Sequence, residues 1–174
     1  MTTLNKLENK LNPFSYTKGI FIFASIGLAI TLLSGLVQFL FENYFEFEQN
    51  PIEESNKVIL FIVAIILAPI IETLIFQFLI IEIVYAFLIF IKLNEKICKC
   101  IFAILISSIA FGIAHNIHVL YMITAFFMGF QLAFLYIYYR TRFGRLKAFF
   151  ACLIVHSLVN LSSFILNFIE NTFF

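Results

Sequence analysis

The chain has 174 residues, of which 63% are apolar and only 12% are charged, and its formal net charge is +1. This composition lies far outside that of a soluble domain and is typical of an integral membrane protein. The small net charge and the lack of a basic stripe or phosphate-binding loop give no basis for a nucleic-acid partner. Three cysteines are too few for a disulfide framework.

The first long apolar run covers residues 19–41. It is about 23 residues long, which is enough to cross a hydrocarbon core about 30 Å thick. The segment before Gly19 is polar and too long for the start of a cleaved signal, so the run is predicted to be a retained anchor. An acidic loop over 42–57 follows, with a turn signal at Asn50-Pro51.

The second apolar run, residues 58–91, contains a carboxylate at its middle. The run would be about 51 Å long as one helix, so it must tilt, protrude or break, and Pro69 predicts a kink over 65–69. A carboxylate at bilayer depth costs about 3 kcal/mol and usually marks function. Glu72 is the deepest such group, and Glu82 is expected to be a carboxylate near the interface.

Three further spans are predicted over 101–114, 119–139 and 148–169, joined by short loops. The predicted fold is therefore an all-α polytopic transmembrane helix bundle of about five spans, forming a single integral membrane domain over 1–174. With the N-terminus inside, ten of the eleven lysines and arginines lie on the inner side and only Lys57 lies outside. This asymmetry predicts an N-inside, C-outside orientation.

Polar side chains recur inside two of the later spans. His156 and Asn160 are four residues apart, as are Phe111 and His115, so each pair shares one face of a helix. One interpretation is that these groups bind one ligand with Glu72. The other is that they hydrogen-bond across helix interfaces, as polar residues in membranes commonly do.

Together these residues resemble a known set of motifs. The order Glu72-Thr73-x-x-Phe76-Gln77, Phe111-x-x-x-His115 and His156-x-x-x-Asn160 is similar to the three motifs of the CPBP, or Abi, family. This is the family of CAAX proteases and bacteriocin-processing intramembrane proteases. The resemblance covers about residues 58–165, four helices that would form a protease-like core, and leaves 19–41 as an extra first span.

The resemblance implies an intramembrane endopeptidase that uses neither a cofactor nor a metal. Glu72 and His115 would activate a water, and His156 and Asn160 would stabilise the oxyanion. Its partners would be membrane lipid and a peptide or membrane-protein substrate, such as a prenylated tail, a peptide pheromone, a bacteriocin leader or a membrane regulator. The implied location is a bacterial cell membrane. The supporting motif positions are Thr73, Gln77 and Phe111.

Two positions depart from the family pattern, which has a second glutamate and an arginine where this chain has Thr73 and Gln77. We expect a hydrogen-bonding pair to replace an ion pair there. The departures also leave open a non-catalytic membrane scaffold or bacteriocin-immunity protein. A zinc-dependent membrane protease that uses Glu72, His115 and His156 is a further alternative. A proton-coupled transporter is a weaker one, because no inverted repeat is visible.

Overall fold

A computed structural model describes residues 15–41, 57–93 and 95–173. Regular structure in these ranges is helical, and five helices are long and apolar enough to cross a membrane, which confirms the predicted all-helical fold. An acidic loop with an Asn50-Pro51 turn was predicted over 42–57. Residues 42–56 of this loop lie outside the described residues. Lys6 and Lys10 lie outside them as well. The five helices are α1 Tyr16–Phe41, α2 57–90, α3 Lys96–Ala114, α4 Val119–Phe143 and α5 Arg145–Phe173.

Helix α2 contains two π-helical segments, one on each side of the short stretch that ends at Glu72. A π-helical segment, Val63–Leu67, precedes a short α-helical segment, Ala68–Glu72, and a second π-helical segment, Thr73–Ile80, follows it. A π-helix bonds each N–H to the carbonyl five residues before it and is frequent at functional sites. At the place of the kink predicted over 65–69, the structure has a change of winding directly before Pro69.

Proline explains the first of these segments. Pro69 has no N–H and its ring clashes with the carbonyl four residues before it, so an α-helical register cannot continue through 65–69. The helix widens instead, and the N–H of Ala68 bonds to the carbonyl of Val63. At the second segment, the hydroxyl of Ser107 on α3 donates to the carbonyl of Phe76 at 2.9 Å.

The core of the bundle lies along α4. Its inner face is completely buried against α3 and α5, where Leu132, Tyr136 and Tyr139 have no exposed surface. Helix α1 packs on α4 and α5. It is fixed there by Gln131, which donates to the carbonyl of Phe23, and by Tyr139, which donates to the carbonyl of Tyr16 at 2.5 Å.

Large apolar side chains cover the outside of the bundle. Phe90, Phe21 and Val58 are among many that are more than half exposed. Apolar surface of this extent is rare on soluble monomers and marks contact with another apolar phase. The exposed side chains and the five apolar helices together describe a multi-pass membrane protein.

A charged cluster joins α2 to α4 and α5. Arg140 binds both carboxylate oxygens of Glu82, at 2.5 and 3.0 Å, and the Nε of Arg145 lies 3.0 Å from the same group. The hydroxyl of Tyr136 donates to Glu82 at 2.9 Å. Two arginines and a phenol thus stabilise a carboxylate that is only 16% exposed. Glu72 lies ten residues away on the same helix, about 15 Å along it.

Candidate active site

Glu72 on α2 lies close to two histidines from two other helices. Its Oε2 lies 3.4 Å from Nε2 of His156 on α5 and 3.7 Å from Nε2 of His115 at the end of α3. Glu72 and His115 are about one-fifth exposed, whereas His156 is buried. The structure therefore brings together three of the four residues that the motifs singled out, with one side of the group accessible.

The two histidines reach this place from different distances along their helices. His115 follows the last residue of α3, about 29 Å from Lys96, whereas His156 lies about 17 Å from the start of α5. Both nevertheless contact one carboxylate oxygen. The two helices must therefore start at different levels along the bundle or cross at an angle, and the sequence alone does not say which.

The proton position on His115 follows from its backbone contact. Nδ1 lies 2.7 Å from the carbonyl oxygen of Phe111, and because a carbonyl only accepts, Nδ1 carries the hydrogen. His115 is one residue beyond the apolar span, and burial lowers its pKa, so the ring is neutral near pH 7. Its Nε2 therefore presents a lone pair toward Glu72.

Phe111 contacts both histidines. Its ring stacks on His115 with centroids 4.4 Å apart and meets the edge of His156 at 5.8 Å. Close packing against α4 is possible because residue 129 is glycine: a Cβ there would lie 2.8 Å from the Cβ of Phe111. Phe111 thus contacts both rings, and the supporting role expected for it remains a prediction.

Asn160 lies on α5 one turn after His156, but its amide contacts the backbone of α2. Its Nδ2 donates to the carbonyl oxygen of Ala64 at 2.8 Å. In the π-helical register the donor for Ala64 would be residue 69, and Pro69 has no N–H. Asn160 supplies the missing donor, and its Nδ2 carries a second hydrogen. The oxyanion role expected for Asn160 remains a prediction.

Thr73 and Gln77 do not form the hydrogen-bonding pair that we expected. The hydroxyl of Thr73 instead lies 3.3 Å from Nδ1 of His156. Both polar atoms of the Gln77 amide are completely buried and have no hydrogen-bond partner within the described ranges. The expectation of a mutual pair was wrong because Thr73 points to α5. The motifs did not include Ser107. In the sequence it is recognisable only as a hydroxyl side chain inside an apolar run.

Metal ligation is a separate question, because a carboxylate and two imidazoles are ligand types that zinc accepts. Across residues 15–41, 57–93 and 95–173, no group of three or more His, Cys, Asp and Glu side chains is arranged to hold a metal ion. Glu72 and the two histidines can together accept hydrogen bonds from a small molecule and donate one to it.

Comparison with known proteins identifies the family. The family model described as type II CAAX prenyl endopeptidase, Rce1-like, matches residues 54–162. No curated protein and no solved structure matches the chain significantly. The matched segment includes Glu72, His115 and His156, and it confirms the resemblance drawn from the motifs. The chain therefore belongs to the Rce1-like family of type II CAAX prenyl endopeptidases, within the wider CPBP or Abi group.

Proposed function

We propose that this chain is an intramembrane endopeptidase of the CPBP glutamate type. The observation that carries the proposal is the position of Glu72, whose carboxylate lies between two imidazole nitrogens at 3.4 and 3.7 Å inside an apolar bundle. Membership of a family of CAAX prenyl endopeptidases supports a peptide substrate. In this proposal residues 58–165 form the catalytic core, and α1 is an additional span.

Glu72 and His115 activate the water in the proposed first step. The Glu72 carboxylate and the bare Nε2 of His115 are both hydrogen-bond acceptors. A water about 2.8 Å from each can therefore donate one hydrogen to each group. Glu72 takes a proton while the water oxygen bonds to the carbonyl carbon of the peptide, and the π electrons of the C=O bond move to its oxygen. General-base catalysis of this kind contributes about 10²- to 10⁴-fold.

His156 and Asn160 stabilise the negative oxygen in the second part of the proposal. His156 donates through Nε2–H, and Asn160 donates the second hydrogen of the amide that already serves Ala64. One donor of this type is worth about 10²- to 10³-fold. When the intermediate collapses, the C–N bond breaks and the leaving nitrogen takes the proton from Glu72, giving a carboxylic acid and an amine and returning Glu72 to its carboxylate form.

The family description supports a proposal for the substrate class. It reads type II CAAX prenyl endopeptidase, and a prenylated CAAX peptide is the substrate that we propose for the present chain. A fluorogenic farnesylated peptide that ends in a CAAX sequence is therefore the first probe. The same peptide without the lipid is its control. A rate advantage for the lipidated peptide supports a prenylated substrate over an unmodified peptide.

The direct test of the general base is Glu72→Gln. This change keeps the shape of the side chain and removes the proton acceptor, so the cleavage rate of the purified protein should fall by at least about 100-fold. Glu95→Gln, the same change at an exposed loop residue, is the matched control and should leave the rate within about twofold of the wild type, as surface changes usually do. A Glu72→Gln variant that cleaves at the wild-type rate contradicts the proposal.

One observation favours a second candidate, a non-catalytic membrane scaffold or bacteriocin-immunity protein. Gln77 occupies the arginine position of the motif, and its buried amide has no hydrogen-bond partner in the part of the chain that the structure describes. A cellular phenotype that is lost on deletion of the chain, yet unchanged by Glu72→Gln, would support the scaffold.

A further inference from the structure

Two adjacent residues of α2 hold the two nitrogens of one imidazole. Glu72 Oε2 lies 3.4 Å from Nε2 of His156, and Thr73 Oγ1 lies 3.3 Å from Nδ1 of the same ring. Thr73 has no exposed surface and His156 is only 3% exposed. Water therefore has little access to Nδ1, and the hydroxyl of Thr73 is its hydrogen-bond partner among the described residues.

The chemistry of the two partners assigns the hydrogens. An ionised carboxylate only accepts hydrogen bonds, so with Glu72 ionised the hydrogen of a neutral His156 ring lies on Nε2. Nδ1 is then a bare acceptor. A hydroxyl can donate to it, whereas a carboxylate at the same position cannot.

We infer that Thr73 is a positioning residue for His156: its hydroxyl donates to Nδ1 and holds the neutral ring with Nε2–H directed at the reacting oxygen. The catalytic consequence depends on the proposed peptidase function, but the hydrogen bond itself does not. Thr73 is the first residue of the second π-helical segment of α2.

This assignment gives the Thr73 substitution a chemical meaning. The related motif has glutamate at this position, and glutamate would accept a hydrogen from Nδ1. The ring could then offer Nε2–H only as a charged imidazolium. With threonine, the neutral ring offers the same donor. If Thr73 served packing alone, its side chain would only fill space. In this assignment its hydroxyl also donates a hydrogen bond to His156.

Three variants separate the hydroxyl from the packing of its side chain. Thr73→Val keeps the volume and removes the donor, so kcat for the farnesylated CAAX peptide should fall about 10- to 100-fold with KM nearly unchanged, as expected for a lost buried hydrogen bond. Thr73→Ser keeps the donor and should restore kcat to within a few-fold of wild type. Thr31→Val is the matched control, because Thr31 bonds to the carbonyl of Gly27 in α1, and it should leave kcat unchanged.

Nitrogen-15 NMR of the histidine-labelled protein reads the hydrogen bond without any substrate. The His156 signals are assigned by their loss in His156→Gln. We expect a protonated Nε2 and a bare, hydrogen-bonded Nδ1 in the wild type, and a change of the Nδ1 shift in Thr73→Val but not in Thr73→Ser.

Each result decides the inference. A protonated Nδ1, an unchanged Nδ1 shift in Thr73→Val, or equal losses of kcat in Thr73→Val and Thr73→Ser would overturn it. If the wild-type protein cleaves no peptide but its Nδ1 shift responds to Thr73→Val, the hydrogen bond stands and the peptidase proposal fails instead.

Discussion

A single side-chain amide links the third motif to the proline of the first. Asn160 donates to the carbonyl of Ala64, which has no backbone donor in the π-helical register because residue 69 is proline. An unsatisfied buried carbonyl costs about 1–3 kcal/mol. Asn160 therefore stabilises α2 at Ala64, eight residues before Glu72, independently of any catalytic role.

This link predicts that Asn160 and Pro69 are energetically coupled. Asn160→Leu should lower the free energy of unfolding by about 1–3 kcal/mol, because Ala64 loses its donor. In a Pro69→Ala background the same change should cost less, since residue 69 then has an N–H. Chemical unfolding of the two single variants and the double variant in detergent measures the coupling. Strictly additive losses would show that Asn160 stabilises some other contact.

At the scale of single residues, the sequence predicted the candidate site residues but not their hydrogen-bond partners. Glu72, His115 and His156 were recognisable because each is polar inside an apolar run. The contact of Thr73 with His156 and that of Asn160 with Ala64 were not, because both depend on π-helical segments. A periodicity of 3.6 residues places side chains on the wrong faces once the winding changes.

Among the helices, the close contact of α3 and α4 orients the two histidines. Phe111 stacks on His115 and meets His156 edge-on, and Gly129 on α4 leaves room for it. The helices themselves and their number were predictable from apolar runs of sufficient length. Their relative levels were not, because the length of an apolar run does not encode how neighbouring helices pack along the bundle.

Gly129→Ala tests this contact. The added Cβ would lie 2.8 Å from the Cβ of Phe111, so Phe111 must move and both histidines with it. Overpacking of this kind costs about 1–3 kcal/mol of stability, and misplaced catalytic groups should lower kcat at least about tenfold. Gly35→Ala in α1 is the control, because a Cβ there meets no heavy atom of the described residues within 4 Å. Equal activity of the two variants would show that Phe111 does not orient the site.

For the whole molecule, the asymmetry of positive charge is the basis of the proposed N-inside orientation. Ten of the eleven lysines and arginines fall on one side when the N-terminus is inside. In this proposed orientation the cluster of Glu82, Arg140 and Arg145 would lie at the inner end of the bundle, and Glu72 would lie about 15 Å further into the membrane.

Reporter fusions test the orientation. A periplasmic-type phosphatase, active only outside, should be active when fused after Phe174 and inactive when fused after Lys92, while a fluorescent protein that folds only inside should give the reverse. The fusion after Lys92 is the internal control, since it ends on the opposite side of the membrane. Phosphatase that is inactive after Phe174 while the fluorescent fusion is bright would overturn the N-inside proposal.

The most direct test of the central claim is the rate of peptide cleavage by purified wild-type protein after exhaustive chelation, measured together with its metal content. If the groups of the chain itself activate the water, the chelated protein keeps its activity and contains no stoichiometric metal, and Glu72→Gln removes that activity. Cleavage that disappears with the chelator and returns on addition of zinc would contradict this mechanism, replacing it with one in which Glu72, His115 and His156 ligate a metal.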